Sequence, residues 1–379
     1  MLSLYLSLMT LSVAIVGGGL SGLVAAIHLA LSGQRVTLFE KKTYPFHRVC
    51  GEYISNEVLP YLKTLGIDPF LWGAQQISEF ELTSVNGNRA QMALDLGGFG
   101  ISRFCFDEHL ARYAQSLGVV VLEHAEVEHI RFHQGVFELR SAQQSVEAQV
   151  VLSAYGKRSK LDYTLKRSFI TRRSPYVGVK HHIRYPQPAS RISLHNFSGG
   201  YCGISAVENG VQNLCYLVHR DAVRAHGDIH QLEKVVLSEN PYLAKIFDTA
   251  EFLFAKPEVI NEITFEQKEP VHQHLLMIGD AAGMITPLCG NGMAIGIHGA
   301  KLACESVLAW DGKEHSRPAM EARYRQQWNQ TFALRLWTGR QIQRLFGGKA
   351  ASNFAVALAN QVQPAARFLM TKTHGQPFA

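Results

Sequence analysis

The chain has 379 residues, of which 47% are hydrophobic and 18% are charged, a composition that supports a large core and excludes long disordered segments. Lys and Arg number 37 and Asp and Glu number 31, which gives a net charge of +6 with His neutral. The basic residues are not concentrated in one stretch, so we expect no nucleic-acid partner.

The length favours two intimately joined domains over one minimal domain. The six cysteines show neither a CxxC pair nor a metal-ligand spacing, so we expect reduced thiols in a cytoplasmic protein without a metal site. No apolar stretch reaches the roughly 18 residues that a bilayer span needs. The apolar opening MLSLYLSLMT lacks a basic segment and leads directly into the first predicted strand. We therefore reject a cleaved signal peptide and consider either Met1 or Met9 as the start.

A glycine-rich motif follows the first predicted strand, the apolar run 13–16. In its GxGxxG spacing, the first glycine permits a tight turn, the second lets the backbone approach a pyrophosphate, and the third lets the next helix pack on the strand. That helix is predicted from Leu20 to about Leu31, and its first N–H groups suit a phosphate. A strand over 35–39 then ends in an acid that can bind ribose hydroxyls. The candidate dinucleotide-binding residues of this unit are Gly17, Gly19, Leu20, Ser21, Gly22 and Glu40.

Short strands and helices are predicted along the middle of the chain. A loop over 47–52, with the sequence HRVCGE, precedes a helix over 55–65 that is capped by Ser55 or Asn56. The other expected elements are strands within 77–100 with turns at Asn86-Gly87 and Gly97-Gly98, a helix from Asp107-Glu108 to Ser116, a strand at 119–121, a β-ribbon over 126–153, and β-like runs over 168–266 with one helix at 228–239.

A second glycine-rich motif lies far along the chain, after a short buried strand at 275–278. Asp280 is predicted to open a helix that runs through Ala294. An acid at a helix start can simply act as a cap. Here, however, three further glycines and a proline follow it, and glycine beside a helix start indicates that a flat ligand approaches the main chain. These residues are Gly283, Pro287, Gly290 and Gly292.

The two motifs predict an α/β fold with a discontinuous, Rossmann-like nucleotide domain. Its pieces are about 1–75, 101–165 and 271–310. A mixed or antiparallel β-sheet domain for the substrate takes residues 76–100 and 166–270, and residues 311–379 form a helical C-terminal region.

The segment GDAAGMITPLCGNGMAIGIHGA resembles the second FAD fingerprint of the p-hydroxybenzoate hydroxylase-type flavoproteins. The resemblance implies bound FAD, with Asp280 beside the ribityl chain or pyrophosphate. The other positions that it implies at the cofactor are Gly279, Pro287, Gly290, Asn291, Gly292 and Met293.

Within that superfamily, VCGEYIS at 49–55 looks most like the CGE segment of geranylgeranyl reductase-like enzymes and flavin-dependent halogenases. ISRFCFDEHL at 101–110 also fits the family's pattern and implies that Arg103 lies near the cofactor. His47 and Arg48 precede the CGE segment and are candidates to neutralise flavin or substrate charge, with a solvated loop as the alternative.

Three positions depart from the family's patterns. Tyr155 stands where hydroxylases carry the acid of a GADG-like sequence, which argues against their mode of NAD(P)H use. The WxWxIP motif of tryptophan halogenases is absent from the sequence. The YxWxFP motif of the reductases has its nearest match at 201–206, which keeps Tyr201 and replaces the tryptophan by Gly203, so a roomier substrate site is implied.

Three residues are candidate catalytic groups: Cys50, Tyr201 and His182. Cys50 resembles a cysteine near the flavin of the reductases, and the alternative is a small buried hydrophobe. Adjacent strand residues point to opposite faces, so at most one histidine of the segment KHH at 180–182 can face the site and donate a proton.

The resemblance implies a FAD-dependent oxidoreductase that reduces C=C bonds of a hydrophobic isoprenoid, lipid or polyketide-like substrate. Its electron donor would be NAD(P)H or a protein reductant. The alternatives are a flavin-dependent monooxygenase that hydroxylates an aromatic or hydrophobic substrate and a non-catalytic flavin-binding protein. Both nucleotide motifs are intact, which disfavours the last of these.

The C-terminal region repeats large apolar residues at near-helical spacing, with arginines between them. This pattern fits either a basic amphipathic helix in peripheral contact with a membrane or a helix packed on the protein's own core, and we favour the packed helix. The apolar residues are Tyr324, Trp328, Phe332, Leu336, Ile342 and Phe346, and the arginines are Arg323, Arg325, Arg335, Arg340 and Arg344.

Overall fold

The computed structural model describes residues 10–171, 174–286, 290–343, 348–361 and 375–379. Met1, Met9, Pro287, Arg344 and Phe346 lie outside these ranges. Within them, no helix combines the length and the apolar character that a bilayer span requires. Strands and helices are numbered along the chain.

The first sheet has six strands: β1 Ser12–Val16, β2 Arg35–Phe39, β6 Val120–Leu122, β10 Val150–Ser153, β17 Val271–His272 and β18 Leu275–Met277. They lie side by side in the order β17, β18, β10, β1, β2, β6, and only β17 is antiparallel to its neighbour. Central strands of a parallel sheet are covered on both faces, which explains the unbroken apolar runs of β1 and β10. Residues far apart in sequence thus build one nucleotide-binding sheet.

Three helices cover this sheet near its glycine motifs. α1 (Leu20–Leu31) packs between α3 (Arg103–Ser116) and α8 (Gly292–Leu308). The shorter α2 (Leu59–Thr64) and α4 (Lys160–Thr164) lie in the connections. β7 (Val127–His133), β8 (Val136–Ser141) and β9 (Ser145–Ala148) form the expected ribbon that leads into β10.

The second sheet has nine strands, and all neighbours are antiparallel except β4 and β12. Eight strands follow the order β15, β11, β14, β13, β12, β4, β5, β3, and β16 pairs with β11. Their bounds are β3 Tyr53–Ser55, β4 Gln75–Thr83, β5 Arg89–Gly100, β11 Tyr176–Arg184, β12 Arg191–Phe197, β13 Gly200–Ala206, β14 Gln212–His219, β15 Glu251–Phe252 and β16 Glu258–Ile263.

The nine-stranded sheet has two distinct faces. Its outer face carries Val179, Phe197 and Tyr216 and is covered by α5 (Arg220–His226), α6 (Ile229–Val235) and α7 (Pro241–Thr249). The inner face carries alternate residues of the same strands, among them Lys180, His182, Tyr201, Gly203, Asn213 and Leu217. Because side chains alternate along a strand, one sheet can present an apolar core and a site on opposite sides.

The C-terminal helices are α9 (Arg317–Gln343) and α10 (Lys349–Gln361). Tyr324, Trp328 and Phe332 of α9 are at most 2% exposed, and a Cβ atom on Gly299 of α8 would lie 2.5 Å from the Trp328 ring. The favoured packing of this helix on the core is therefore confirmed for these three residues. α10 packs on the inner face through Val356 and neighbouring residues.

Two predicted helix starts are wrong. The helix expected from Asp107-Glu108 begins at Arg103, because the Ser102 side chain accepts a hydrogen bond from the Cys105 N–H and caps it there. Asp280 does not open a long helix: a 3₁₀ turn covers Gly279–Ala281, and α8 begins at Gly292. Gly290, two residues before α8, has φ +61°, a conformation that a regular helix does not contain.

Two expectations in the sheet domain are also wrong. The single helix at 228–239 is one of three short helices, with Asp228 capping α6. Gly97-Gly98 forms no hairpin turn but lies within β5, where Gly97 has φ +67° opposite a register shift in β4. The helix expected over 55–65 is present in two parts. Ser55, one of the two expected caps, caps a 3₁₀ turn at Asn56–Val58, and α2 follows it. Residues 53–55 form a strand of the large sheet.

Candidate functional site

The first glycine motif forms a tight turn at the end of β1. Gly17 has φ +107°, and a Cβ atom there would lie 2.5 Å from the Ala154 carbonyl oxygen. A Cβ atom on Gly22 would lie 2.1 Å from the Gly17 carbonyl oxygen, so α1 can approach the strand only because both residues are glycine. Gly19 is the N-cap and has no side chain to compete for the first N–H groups of α1, which begins at Leu20. The turn therefore leaves a helix start available to a phosphate.

Glu40 lies at the end of β2 and is 3% exposed. Its carboxylate accepts hydrogen bonds from the backbone N–H groups of Gly18 and Lys42, both at 3.0 Å. The Arg48 guanidinium lies 3.0 Å from the Glu40 carboxylate and 3.2 Å from the carboxylate of Asp107. The acid predicted for the ribose is thus fixed beside the glycine turn, and Arg48 brings a cation to it.

Arg103 lies over the same turn. It donates two hydrogen bonds of 2.7 Å to Asp107, and a Cβ atom on Gly19 would lie 3.6 Å from its guanidinium. The backbone N–H of Arg103 donates to the carboxylate of Glu52, two residues after Cys50, at 2.7 Å. Burial raises the pKa of Cys50, although the Arg103 charge opposes this, so the thiol is protonated at neutral pH. Arg48 and Arg103 therefore lie beside the glycine turn, each in an ion pair with a carboxylate.

The two glycine motifs meet at Ser21 in the first turn of α1. Cβ atoms on Gly279 and on Gly296 of α8 would lie 2.6 and 2.5 Å from the Ser21 hydroxyl oxygen. The close approach thus depends on glycine at both positions. Gly296 was not among the predicted residues, although its place in the AIGIHGA run was a usable signal. The structure brings together two motifs that are more than 250 residues apart in sequence.

Asp280 follows Gly279 at this junction and is half-buried. Among the described residues, its carboxylate has no hydrogen-bond partner, and burial raises its pKa against the opposing charges of Lys268 and Arg103. Lys268 donates to the Asp280 carbonyl oxygen at 2.7 Å, and Arg167 donates to the Ala281 carbonyl oxygen at 2.8 Å. The turn is held from behind, while the carboxylate remains available for a hydroxyl-bearing ligand.

Beyond this turn, the structure describes only some of the other positions that the resemblance implies at the cofactor. Gly290 lies against the Tyr53 ring: a Cβ atom on Gly290 would lie 3.2 Å from that ring. Asn291 is buried and is the N-cap of α8, and its amide donates to Glu57 at 3.3 Å. Gly292 and Met293 form the first turn of α8. Pro287 lies outside the described residues.

Glu52 of the CGE segment is fully buried and joins the loop to the large sheet. It has φ +52°, an uncommon conformation for a residue with a side chain. One carboxylate oxygen accepts hydrogen bonds from Lys180 at 2.5 Å and from the Arg103 N–H at 2.7 Å, and the other lies 2.8 Å from Nε2 of His182. Burial alone would raise the pKa of Glu52, but the charge of Lys180 and the bond with His182 outweigh it and hold the pKa below its ordinary value.

The neighbouring residues of the loop are also tethered to the inner face. Asn213 donates to the Cys50 carbonyl oxygen at 3.1 Å, and Ser205 donates to the Gly51 carbonyl oxygen at 3.1 Å. His47 stacks on Phe104 and makes a tilted ring contact with Phe254, both with ring centroids 4.6 Å apart. Burial, with the charge of Lys180, lowers the pKa of His47 to about 4, so it is neutral near pH 7.

The structure separates the three catalytic candidates. Asn213, which holds the Cys50 backbone, pairs with His182 across β14 and β11, so these two candidates lie together. Tyr201 pairs with Leu217, four residues along β14 from Asn213, or roughly 13 Å at 3.3 Å per residue. Its ring lines a cavity of about 200 Å³ at the far end of the inner face, with Tyr176, Gly200, Leu217 and Gln343. Tyr201 is therefore placed to contact a ligand there, away from Cys50.

The two histidines of the KHH segment face opposite sides of β11, as strand alternation predicts. His182 lies on the inner face with Glu52, and His181 lies on the outer face, 2.8 Å from Glu233. Of the segment 180–182, only His182 was an expected catalytic residue, and Glu52 was not among the expected site residues. A fully buried lysine is rare unless it is paired, so the burial of Lys180 would have indicated a partner. That burial can be recognised only once both faces of the strand are known to be covered.

Between the polar and apolar ends of the inner face lies Gly203. Of the described residues, only the Cys215 carbonyl oxygen comes within 4 Å of a Cβ atom built there, at 3.7 Å, so open space lies in front of it. An apolar cluster adjoins this space and includes Leu82, Leu194, Tyr201, Leu217, Ile263 and Val356. The inner face is thus apolar at one end and carries the Glu52 network at the other.

Tyr155, which stands in place of the acid of the hydroxylase pattern, is itself hydrogen-bonded to a carboxylate. Its hydroxyl donates to the fully buried Asp162 at 2.9 Å, and Arg167 lies 3.3 Å from the same oxygen. Because Arg167 also holds the turn at Ala281, this network supports the second glycine motif from behind.

These residues fit FAD. The glycine turn and the start of α1 suit its pyrophosphate, Glu40 suits a ribose, and the available carboxylate of Asp280 suits a hydroxyl of the chain between phosphate and flavin. Arg48 and Arg103 lie beside this turn, in ion pairs with Glu40 and Asp107.

Comparison with known proteins gives the same result. A family model described as FAD binding domain matches residues 10–327. Conditioned medium factor receptor 1 of Dictyostelium discoideum is 25% identical over 363 residues, covering 84% of this chain and 68% of that protein. Digeranylgeranylglycerophospholipid reductase 1 of Methanosphaera stadtmanae is 26% identical over 321 residues, covering 80% of this chain and 76% of that protein.

Among solved structures, the flavin-dependent halogenase CmlS superposes with a TM-score of 0.75 at 19% identity. The match covers 87% of this chain and 64% of the halogenase, so this chain spans less than two thirds of that protein. The likeness shows the fold, and the predicted α/β fold class is confirmed. The resemblance to FAD-dependent flavoproteins is also confirmed.

Proposed function

Because the chain belongs to the FAD binding domain family, we propose that it is a FAD-dependent reductase of C=C bonds in a hydrophobic substrate. The coarser statement, that it is a FAD-dependent enzyme of a family that includes reductases and halogenases, is established. The substrate class of the proposal is an isoprenoid, lipid or polyketide-like molecule. A reductase named for a phospholipid substrate is among the relatives, which supports this choice.

The observation that carries the proposal is the attachment of the Cys50–Glu52 loop to the inner face. Five side chains or backbone groups hold this short segment: those of Lys180, His182, Arg103, Ser205 and Asn213. Arg103, whose N–H donates to Glu52, also lies over the glycine turn. A fixed loop between a cofactor and an apolar face is what positions an uncharged substrate for transfer chemistry.

Bound FAD, when reduced, supplies the hydride for such a reaction. The protein then has to hold a proton for the second carbon of the double bond. We assign this role to Cys50 and His182: the thiol stays protonated because burial raises the pKa of Cys50, and the imidazole is oriented by Glu52. Tyr201 would contact the substrate from the cavity that it lines.

The source of electrons is part of the same proposal. The candidates are NAD(P)H and a protein reductant. Tyr155 and Asp162 occupy the place of the hydroxylase acid, and their carboxylate is committed to Arg167, which supports a protein reductant over the hydroxylase mode of NAD(P)H use. Reduction rates of the bound flavin with NADH, NADPH and a reduced ferredoxin would distinguish them.

We place the reaction in the cytoplasm. The five described cysteines are free thiols, which suits a reducing compartment. Fractionation of cells that express the tagged full chain tests this location and also any peripheral membrane contact.

The test of the reaction is an anaerobic assay. The purified protein would be reduced chemically and mixed with hydrophobic alkenes, and saturated products would be sought by mass spectrometry. Cys50→Ser and His182→Gln should lower product formation at least about tenfold. Cys105→Ser, a half-buried cysteine on α3, is the matched control.

Two outcomes would contradict the proposal. A hydroxylated product formed only in the presence of oxygen would identify the monooxygenase alternative. Release of a colourless nucleotide from the denatured protein would contradict FAD as the tightly bound cofactor.

A further inference from the structure

Glu57, two residues after the Tyr53–Ser55 strand, joins four separate parts of the chain. It is fully buried, and its carboxylate accepts hydrogen bonds from Arg335 of α9 at 3.0 Å and from Asn291 at 3.3 Å. The backbone N–H of Gly375 donates to the same carboxylate at 2.5 Å. A buried polar group has to be satisfied by hydrogen bonds, and here the donors to the Glu57 carboxylate come from different elements.

The segment Gly375–Ala379, which we call the C-terminal strap, packs along this carboxylate. The N–H of Phe378 donates to the Glu57 carbonyl oxygen at 3.2 Å. The Phe378 ring stacks on His298 of α8, with centroids 3.8 Å apart and planes at 16°. It also lies 5.7 Å from the Tyr61 ring of α2. The strap therefore has two backbone hydrogen bonds and two aromatic contacts with the core.

The space around Gly375 admits no larger residue. A Cβ atom on Gly375 would lie 2.8 Å from both Arg335 and the Glu57 carboxylate, so a larger residue would displace the strap. Burial, partly offset by Glu57, lowers the pKa of His298 to about 4. The imidazole is then neutral near pH 7 and stacks on Phe378 as an uncharged ring.

The strap and the second glycine motif are linked through Glu57, whose carboxylate binds both Gly375 and Asn291. Asn291 is the N-cap of α8 and lies within the segment that we assign to the flavin. Its amide shares the Glu57 carboxylate with Gly375, and His298 lies two turns further along the same helix. Any shift of Glu57 therefore changes the position of the residue at the start of α8.

We propose that the C-terminal strap and Glu57 form a latch that positions Asn291 and so slows the release of FAD. The inference rests on the proposed FAD site. Phe378 and Glu57 are positioning residues, because they act through Asn291 and do not touch the cofactor themselves. Loss of the latch would leave the sheets and the core unchanged and would loosen only the start of α8.

The experiment measures FAD release from the full-length holoprotein. After strong dilution, the rise in flavin fluorescence gives the dissociation rate for wild type, Phe378→Ala and a truncation that ends at residue 374. Phe354→Ala is the matched control, because this aromatic residue of α10 is 66% exposed. We expect roughly tenfold faster release from both latch variants, the size of a moderate coupling between sites. The control Phe354→Ala should release FAD at the wild-type rate. Phe378→Tyr keeps the aromatic ring and should release FAD at nearly the wild-type rate.

The melting temperature of each apoprotein separates a latch from general damage. Faster FAD release with an unchanged apoprotein melting temperature supports the latch. Wild-type release rates in both Phe378→Ala and the truncation would overturn it, as would an apoprotein that is destabilised as much as the holoprotein. If wild type itself holds no FAD, the proposed function fails, which is a distinguishable result.

Discussion

The substitution Glu52→Gln tests the network that attaches the CGE loop to the inner face. Gln has nearly the same shape and can still accept from the Arg103 N–H and bond to His182. It removes the negative charge that lies 2.5 Å from the Lys180 ammonium. Both side chains of this ion pair are 0% exposed, so water cannot replace the lost partner.

The expected cost follows from this burial. Removing one partner of a buried ion pair costs about 3–5 kcal/mol, because the other charge remains buried and uncompensated. Domains are commonly stable by only about 5–15 kcal/mol, so Glu52→Gln should lower the unfolding free energy by a large fraction. The double variant Glu52→Gln/Lys180→Met removes both charges and should recover most of the loss.

The pH dependence has a definite sign. The folded-state pKa of Glu52 lies below the ordinary value of 4.5, because Lys180 and His182 stabilise the carboxylate more than burial penalises it. Its contribution to stability is therefore fully present above about pH 4.5 and is lost as the pH falls through the lowered pKa. The difference between wild type and Glu52→Gln should narrow on acidification.

Urea unfolding followed by circular dichroism, at neutral and at acidic pH, measures these differences. A loss below about 0.5 kcal/mol for Glu52→Gln at pH 7 would refute the argument, since that is the size expected of an ordinary surface substitution. Equal instability of the single and double variants would refute it as well, because the unpaired Lys180 charge would then not be the cause.

Three further predictions use other parts of the structure. Gly22→Ala should yield protein without flavin absorbance, because its Cβ would lie 2.1 Å from the Gly17 carbonyl oxygen; retained FAD would contradict this. Trp328→Ala should lower the unfolding free energy, measured by calorimetry, by about 3–5 kcal/mol. Trp337, which is 54% exposed, is the control, and Trp337→Ala should change the unfolding free energy by less than about 0.5 kcal/mol. Equal effects of the two substitutions would contradict the packing of α9. Burial lowers the pKa of Lys268 from 10.5 to about 8, so the folded state binds fewer protons than the unfolded state between these values and stability should rise with pH there. Lys268→Met should remove that rise, and an unchanged slope would show that another group causes it.

The sequence alone was sufficient for the first nucleotide motif. The strand at 13–16, the three glycines and the helix from Leu20 to Leu31 are all present at the predicted residues. This succeeded because each feature depends on neighbours in sequence: apolar runs, helix periodicity and the tight turn that Gly17 permits at φ +107°. Glu40 follows from the same local logic.

Helix starts were harder to predict, because they depend on which of several polar residues acts as the cap. Ser102 caps α3, although Asp107 was the expected cap, and Asp107 instead pairs with Arg103. Asp280 lies in a short 3₁₀ turn at Gly279–Ala281, and α8 begins only at Gly292. Local propensity does not contain this information.

The polar networks were decided by the tertiary structure only. Lys180 lies 128 residues from Glu52, and Gly375 lies 318 residues from Glu57. No local pattern links such residues, because their contact depends on how the two sheets and the C-terminal helices are arranged in space. Sequence placed the cofactor motifs, since these are short and local. The fold decided which buried charges meet, since a buried charge is tolerated only where the complete structure supplies its partner.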